Sequence, residues 1–136
     1  MAKKGFVVFA FILFDYLSTL AFCHVPYEEA NTYARLFMES MGIFLWLTLF
    51  VLAFNLPIYV ILSLDSHVVR LPPKIAVAFE TFVDIVFAWF VAGLHFGGGT
   101  SWFWSAPDAV RQVFGAAVYL VLAFLIVRPY RPRYDR

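Results

Sequence analysis

Four long apolar stretches separated by short polar connections organise this sequence. Residues 5–23 are continuously apolar except for one charge, Asp15. At about 1.5 Å of helical rise per residue, such a run is nearly as thick as a bilayer. Residues 40–64 carry no charge. Asn55 and Pro57 interrupt them, and because Pro57 has no N–H to give the carbonyl of Ala53, a tilt or kink is expected there. Residues 75–96 follow the helix-stopping Leu71-Pro72-Pro73 and are long enough to cross, although they carry Glu80 and Asp84. Residues 110–127 follow Pro107-Asp108, a helix start with an acid in its first turn, and end at Arg128-Pro129. The pattern predicts an all-α polytopic membrane protein. Its expected form is a four-transmembrane-helix bundle, with residues 1–136 as a single membrane domain.

Composition sharpens this reading. Of the 136 residues, 63% are hydrophobic and 14% charged, against roughly 45–50% and 25% in ordinary soluble domains, and mean hydropathy is +0.83. A water-soluble fold is disfavoured. Seventeen Phe, seven Tyr and four Trp with a net charge of only +1 exclude a disordered segment or a basic nucleic-acid-binding face. Cys23 is the sole cysteine, so no intrachain disulfide forms. Leu20-Ala21-Phe22-Cys23 has the outline of a lipoprotein cleavage box, but Phe22 is bulky where a small residue is needed. The first stretch is therefore expected to be a retained span.

Charge asymmetry orients the spans, because Lys and Arg in short loops stay cytoplasmic. Eight of the ten basic residues, Lys3, Lys4, Arg70, Lys74, Arg128, Arg131, Arg133 and Arg136, fall before span one, between spans two and three, or after span four. Arg35 and Arg111 border the other loops. The expected localisation is the cell membrane, multi-pass, with both termini inside. Trp102-Phe103-Trp104 then lies at the outer boundary, where indoles concentrate. Gly97-Gly98-Gly99 reads as a flexible outer turn.

Buried polar groups are the candidate chemistry. Asp15 and Asp84 each lie about ten residues into parallel spans, which puts them at one depth as expected neighbours. A mid-membrane carboxyl costs about 2.5–3.5 kcal/mol on insertion scales, so it should face the interior and find a partner. With no Lys or Arg at that depth, the expected partners are Ser18 and Thr19, and Thr48, Asn55 and Tyr59 along one stripe of span two. Helical spacing puts Glu80, Asp84, Val91 and His95 on one face, with His95 toward the outside. Asp15, Thr19, Asn55, Glu80 and Asp84 are thus a candidate ion or proton site, or else polar struts that fix helix packing.

The second candidate is an outer-loop constellation of His24, Glu28, Glu29, Asn31 and His95. Imidazole and carboxylate ligands would suit zinc, iron or manganese, and His24 with His95 would be the pair for a haem. No metal-ligand spacing supports either, so no cofactor is predicted. His67 reads as a solvated inner-loop residue. No nucleophile elbow, P-loop or zinc-protease motif is present, and the catalytic residues are left unassigned.

Asp15-Tyr16-Leu17-Ser18-Thr19, followed by Glu29-Ala30-Asn31 and Ala34-Arg35, resembles a family of small uncharacterised prokaryotic four-span membrane proteins. Their Asp-x-x-x-Thr helix precedes Glu-Ala-Asn-Pro, and here Thr32 replaces the proline. The resemblance covers mainly the first third of the chain and supplies no activity. It implies that Asp15, Thr19, Glu29 and Asn31 act as one linked constellation, with Asn31 or Glu29 folded back to cap the N–H groups of span two.

Functionally the chain reads as a structural or accessory subunit of a larger membrane assembly, for instance a respiratory one. The alternative is a self-contained proton, cation or small-solute carrier using Asp15, Glu80 and Asp84, and third comes a metal-dependent membrane enzyme. Expected partners are the lipid bilayer and other membrane subunits or further copies of the chain, and not nucleic acid.

Overall fold

The computed structural model describes residues 2–63 and 72–126, and among them every regular element is helical. The order is α1 (Ala2–Phe22), a 3₁₀ turn (Pro26–Glu28), α2 (Thr32–Met41) and α3 (Ile43–Leu49). A π-helical segment (Phe50–Phe54), α4 (Leu56–Ser63) and α5 (Pro73–Val86) follow. A second π-helical segment (Phe87–Gly93), α6 (Leu94–Thr100) and α7 (Asp108–Ile126) complete it. Three stretches are long and apolar enough to cross a membrane: Gly5–Phe22, Ile43–Val60 and Asp108–Ile126. His67 and the basic C-terminal residues lie outside the described residues, as do the side chains of Glu80 and Asp84.

Local chemistry sets the boundaries. The Asn31 side chain accepts hydrogen bonds from the N–H groups of Tyr33 at 3.0 Å and Ala34 at 3.3 Å, which closes the start of α2 as an N-cap should. Gly42 ends α2 and opens α3 at φ +84°, a left-handed conformation that glycine adopts at no cost from a Cβ. This corrects the sequence reading of residues 40–64 as one span. Ser40 and Met41 belong to α2, and the crossing stretch starts after the Gly42 corner. The irregularity expected at Pro57 falls one turn earlier. The N–H and the Nδ2 of Asn55 both donate to the Phe50 carbonyl, at 3.3 and 3.2 Å, and this closes the wide π turn. Pro57 then stands in the first turn of α4, where an N–H would have no intrahelical acceptor.

The core lies where α1, the second π segment, α6 and α7 meet. Val7, Val8, Phe11 and Ile12 of α1 bury against Val91, Ala92, Ala116 and Tyr119, with Val51 completing the cluster. A smaller cluster joins Cys23, Met38, Trp46 and Leu47 beneath α2. In it Trp46 stacks on Phe37, with centroids 4.2 Å apart. Phe6, Phe44, Phe54, Phe90 and Phe124 point outward, an arrangement suited to lipid rather than water.

The Gly97-Gly98-Gly99 triplet is not a turn. It lies inside α6 and forms that helix's contact face. A Cβ on Gly97 would lie 2.9 Å from the Gln112 side chain of α7, and one on Gly99 would lie 2.7 Å from the Phe14 ring of α1. Small residues let helices approach closely where lipid supplies no hydrophobic drive between them.

Candidate functional site

Three residues within little more than one turn of α1 tie it to three other parts of the bundle. Asp15 Oδ2 lies 2.8 Å from His95 Nδ1 of α6. The hydroxyls of Tyr16 and of Thr48 on α3 are 3.1 Å apart. Thr19 Oγ1 accepts the Trp102 indole N–H at 3.3 Å. The Asp15–His95 pair is the chemical centre of this band. The two side chains are 24% and 12% exposed respectively, and the Phe50 ring is centred 6.4 Å from the imidazole.

Gly98, one turn after His95, makes the pair sterically possible. A Cβ there would lie 2.7 Å from Asp15 Oδ1 and 3.1 Å from the carboxyl carbon. The carboxyl of α1 therefore rests directly on the backbone of α6, between His95 and Gly98. That contact gives the polar pair one fixed geometry, which a flexible loop would not.

Sequence reasoning placed His95 on one face of span three with Glu80 and Asp84 and also grouped it with the outer-loop constellation. His95 faces Asp15, whereas His24 is exposed beyond the end of α1. Among the described residues no three His, Cys, Asp or Glu side chains gather as metal ligands would. The π segment Phe87–Gly93 lies between α5 and α6, and its wider turn shifts the angular phase of the residues that follow it.

The polar residues of span two serve their own backbone. Asn55 closes the π turn, and the Tyr59 hydroxyl donates to the Val51 carbonyl at 3.3 Å. Of the three expected partners there, Thr48 is the one whose side chain hydrogen-bonds to α1 among the described residues, and it meets Tyr16 rather than Asp15; Tyr59 reaches α1 through its ring, which packs against Phe9. Ser18 is buried on α1.

The segment between α1 and α2 folds upon itself. Glu28 Oε2 accepts the N–H groups of His24 at 2.8 Å and Val25 at 3.4 Å, and Glu29 Oε1 accepts that of Asn31 at 2.9 Å. Arg35 forks onto the Glu29 carbonyl through Nε and Nη2, at 3.2 and 2.8 Å. The residues singled out by the resemblance thus fall into two groups. Asp15 and Thr19 meet α6 and Trp102, while Glu29 and Asn31 order the start of α2, the short helix before span two.

Arg111 of α7 carries a role that sequence reasoning missed. It is 8% exposed, and its Nε donates to the Gly97 carbonyl at 3.1 Å while Nη1 donates to that of Trp104 at 3.0 Å. Nη1 also meets the Ala106 carbonyl, and Nη2 meets Asp108. One guanidinium therefore closes the end of α6, the following loop and the start of α7, using the fixed fork that only arginine presents. The available sign was an arginine four residues after a proline that opens a helix.

No family model matches the chain, and no curated protein and no solved structure matches it. The fold itself defines a class, that of all-helical proteins with helices long and apolar enough to span a membrane. Within that class, the site is the Asp15–His95 pair held against Gly98.

Proposed function

We propose that this protein is a small multi-pass protein of the cell membrane that serves as an accessory subunit of a larger membrane assembly. The fourth span is the run of α5, the second π segment and α6, whose residues are more than enough to cross about 30 Å of hydrocarbon. Both termini are cytoplasmic. This orientation leaves Arg35 and Arg111 as the outward basic residues, and both are engaged by backbone carbonyls.

The observation that carries the accessory role is how the polar and apolar groups divide. Asp15, Tyr16, Thr19, Thr48, His95 and Arg111 bond to one another, to Trp102 or to nearby backbone, while large aromatic and aliphatic side chains cover the outer faces of every crossing stretch. A chain built this way offers its surroundings contact area rather than a conduit. Native mass spectrometry of the untagged protein, gently extracted from its own membranes, tests this. Reproducible co-purification with other subunits is the expected result, and a lone monomer or homo-oligomer would overturn it.

The Asp15–His95 pair favours a second reading, a proton carrier, since an imidazole and a carboxyl 2.8 Å apart can hold and exchange a proton within the membrane. In liposomes, that reading requires a proton flux that Asp15→Asn abolishes while the protein still assembles. Absence of flux in the wild-type protein would exclude it.

A further inference from the structure

In the membrane reading of the fold, on which this inference rests, the chain between the crossing stretches Gly5–Phe22 and Ile43–Val60 leaves the bilayer and re-enters it on one side. α2 stands in that connection, and it is packed back onto the bundle. Its Met38 joins Cys23, Trp46 and Leu47 in one buried cluster, against which Tyr16, Leu20 and Phe50 pack. Tyr16 and Leu20 belong to the last two turns of the first crossing stretch, and Trp46, Leu47 and Phe50 to the first two turns of the next. α2 therefore lies beside the ends of two crossing stretches, at the depth where hydrocarbon gives way to headgroups.

The helix has three faces, separated by its rotation of about 100° per residue. Ala34 and Met38 turn toward the cluster. Tyr33, Leu36, Phe37 and Met41 form a second face, apolar and exposed, with Tyr33 at 77% and Leu36 at 57%. Ser40 shares that face, but its hydroxyl donates to the Phe37 carbonyl at 3.0 Å. Arg35 and Glu39 share the third face, so the apolar and charged faces flank the packed one on opposite sides. The apolar face is also continuous with the outward surface of the next crossing stretch. Phe37 stacks on Trp46, Trp46 meets Phe54 with centroids 5.3 Å apart, and Phe54 points outward among Phe44, Leu45 and Leu52.

We propose that α2 is an interfacial helix whose Tyr33, Leu36, Phe37 and Met41 face is set into the boundary between lipid headgroups and acyl chains, with Arg35 and Glu39 toward water. A helix pressed sideways onto its own bundle, apolar on one flank and charged on the other, fits that position. Gly42, at φ +84°, is then the corner where the chain turns from the surface into the bilayer. The partner is lipid, held by apolar area rather than by charge. Residues 24–41 carry Glu28, Glu29 and Glu39 against Arg35, and the Arg35 guanidinium is occupied by the Glu29 carbonyl. Attraction to anionic headgroups needs a surplus of basic residues, so this surface has no preference for anionic lipid.

The test uses the full chain in phosphatidylcholine nanodiscs, with the sole cysteine removed by Cys23→Ala. A single nitroxide is then placed through Tyr33→Cys, Leu36→Cys, Glu39→Cys or, as an outward reference on the crossing stretch, Leu52→Cys. Power saturation compares collisions with oxygen, which concentrates in the bilayer, and with a neutral, water-soluble nickel chelate. The oxygen-to-nickel ratio at positions 33 and 36 is expected to be several-fold above that at 39 and to approach that at 52. It should not change when half of the lipid is replaced by phosphatidylglycerol. Nickel access at 33 and 36 equal to that at 39 would overturn the proposal, while a high ratio at 52 would leave the membrane reading standing. A low ratio at 52 would overturn both. Few collisions with either reagent at 33 and 36 would show that protein, a partner or a second copy, covers the face, and would overturn it as well. So would insertion that requires the anionic lipid. A second measurement needs no variant to fold. Wild-type protein photolabelled by a diazirine phosphatidylcholine should carry adducts on the α2 face, and their absence where residues 43–60 are labelled would overturn the proposal.

Discussion

Replacing Gly115 with alanine should separate α6 from α7 and lower stability by about 3 kcal/mol or more, at the upper end of what overpacking costs. The added Cβ would lie 2.3 Å from the Phe96 Cβ and 2.7 Å from its Cγ. Those atoms belong to the stem of the side chain, next to the α6 backbone, so no rotamer change relieves the overlap. Phe96 is also hemmed in by Phe14, Phe11 and Phe114, with centroids 5.9, 6.1 and 5.7 Å away. Gly98→Ala should follow the same logic against α1. There the clash falls on the Asp15 carboxyl, so this variant should also break the pair with His95. Gly5→Ala is the contrasting case, because nothing lies within 4 Å of its added Cβ. It should be neutral or slightly stabilising through helix propensity. Thermal unfolding of the three variants in one mild detergent checks the order, with Gly115→Ala expected to melt on the order of 10 °C below wild type. Equal melting of Gly115→Ala and Gly5→Ala would show that α6 and α7 do not pack through this contact.

That glycines hold the bundle together was not legible in the sequence, for a physical reason. Three consecutive glycines followed by aromatics satisfy every local criterion for a turn, and glycine costs a helix about 1 kcal/mol relative to alanine in water. Within a membrane bundle the missing side chain instead allows backbone approach, a gain that depends on a neighbour far along the chain. The partner of Asp15 was hidden in the same way. His95 lies 80 residues away, a separation that no local pattern bridges. What could be read was what local chemistry sets. The uninterrupted apolar run gave α1, Pro107-Asp108 gave the start of α7, and Asn31 acted as a cap by the usual side-chain rule, though for α2 rather than for span two. The Gly42 corner was obscured because it sits inside an uncharged stretch, where hydropathy alone sees continuity.

Arg111→Met should be the second severe lesion, costing about 3–4 kcal/mol, because it removes one donor group from several acceptors at once. The carbonyls of Gly97, Trp104 and Ala106 lose the guanidinium together, and that of Gly97 keeps only the long 3.4 Å contact from the Thr100 hydroxyl among the described side chains. The Gly97 carbonyl belongs to the last turn of α6, where no further intrahelical N–H can reach it. Release of this end should loosen the same helix that presents His95 and Gly98 to Asp15, so the lesion would reach the site from the loop side. The pair with Asp108 is a minor part of the effect. The Asp108 side chain is 79% exposed, and an ion pair with one partner in solvent is worth at most about 1 kcal/mol. Asp108→Ala should therefore cost little, and part of that cost would come from losing the acid in the first turn of α7. Arg111→Lys should fall between, since an ammonium keeps the charge but cannot spread across the acceptors as the guanidinium fork does. Melting temperatures of the three variants decide the matter. The expected order of damage is Met, then Lys, then the Asp108 change, and an Asp108→Ala protein as unstable as Arg111→Met would transfer the role from the carbonyl contacts to the ion pair.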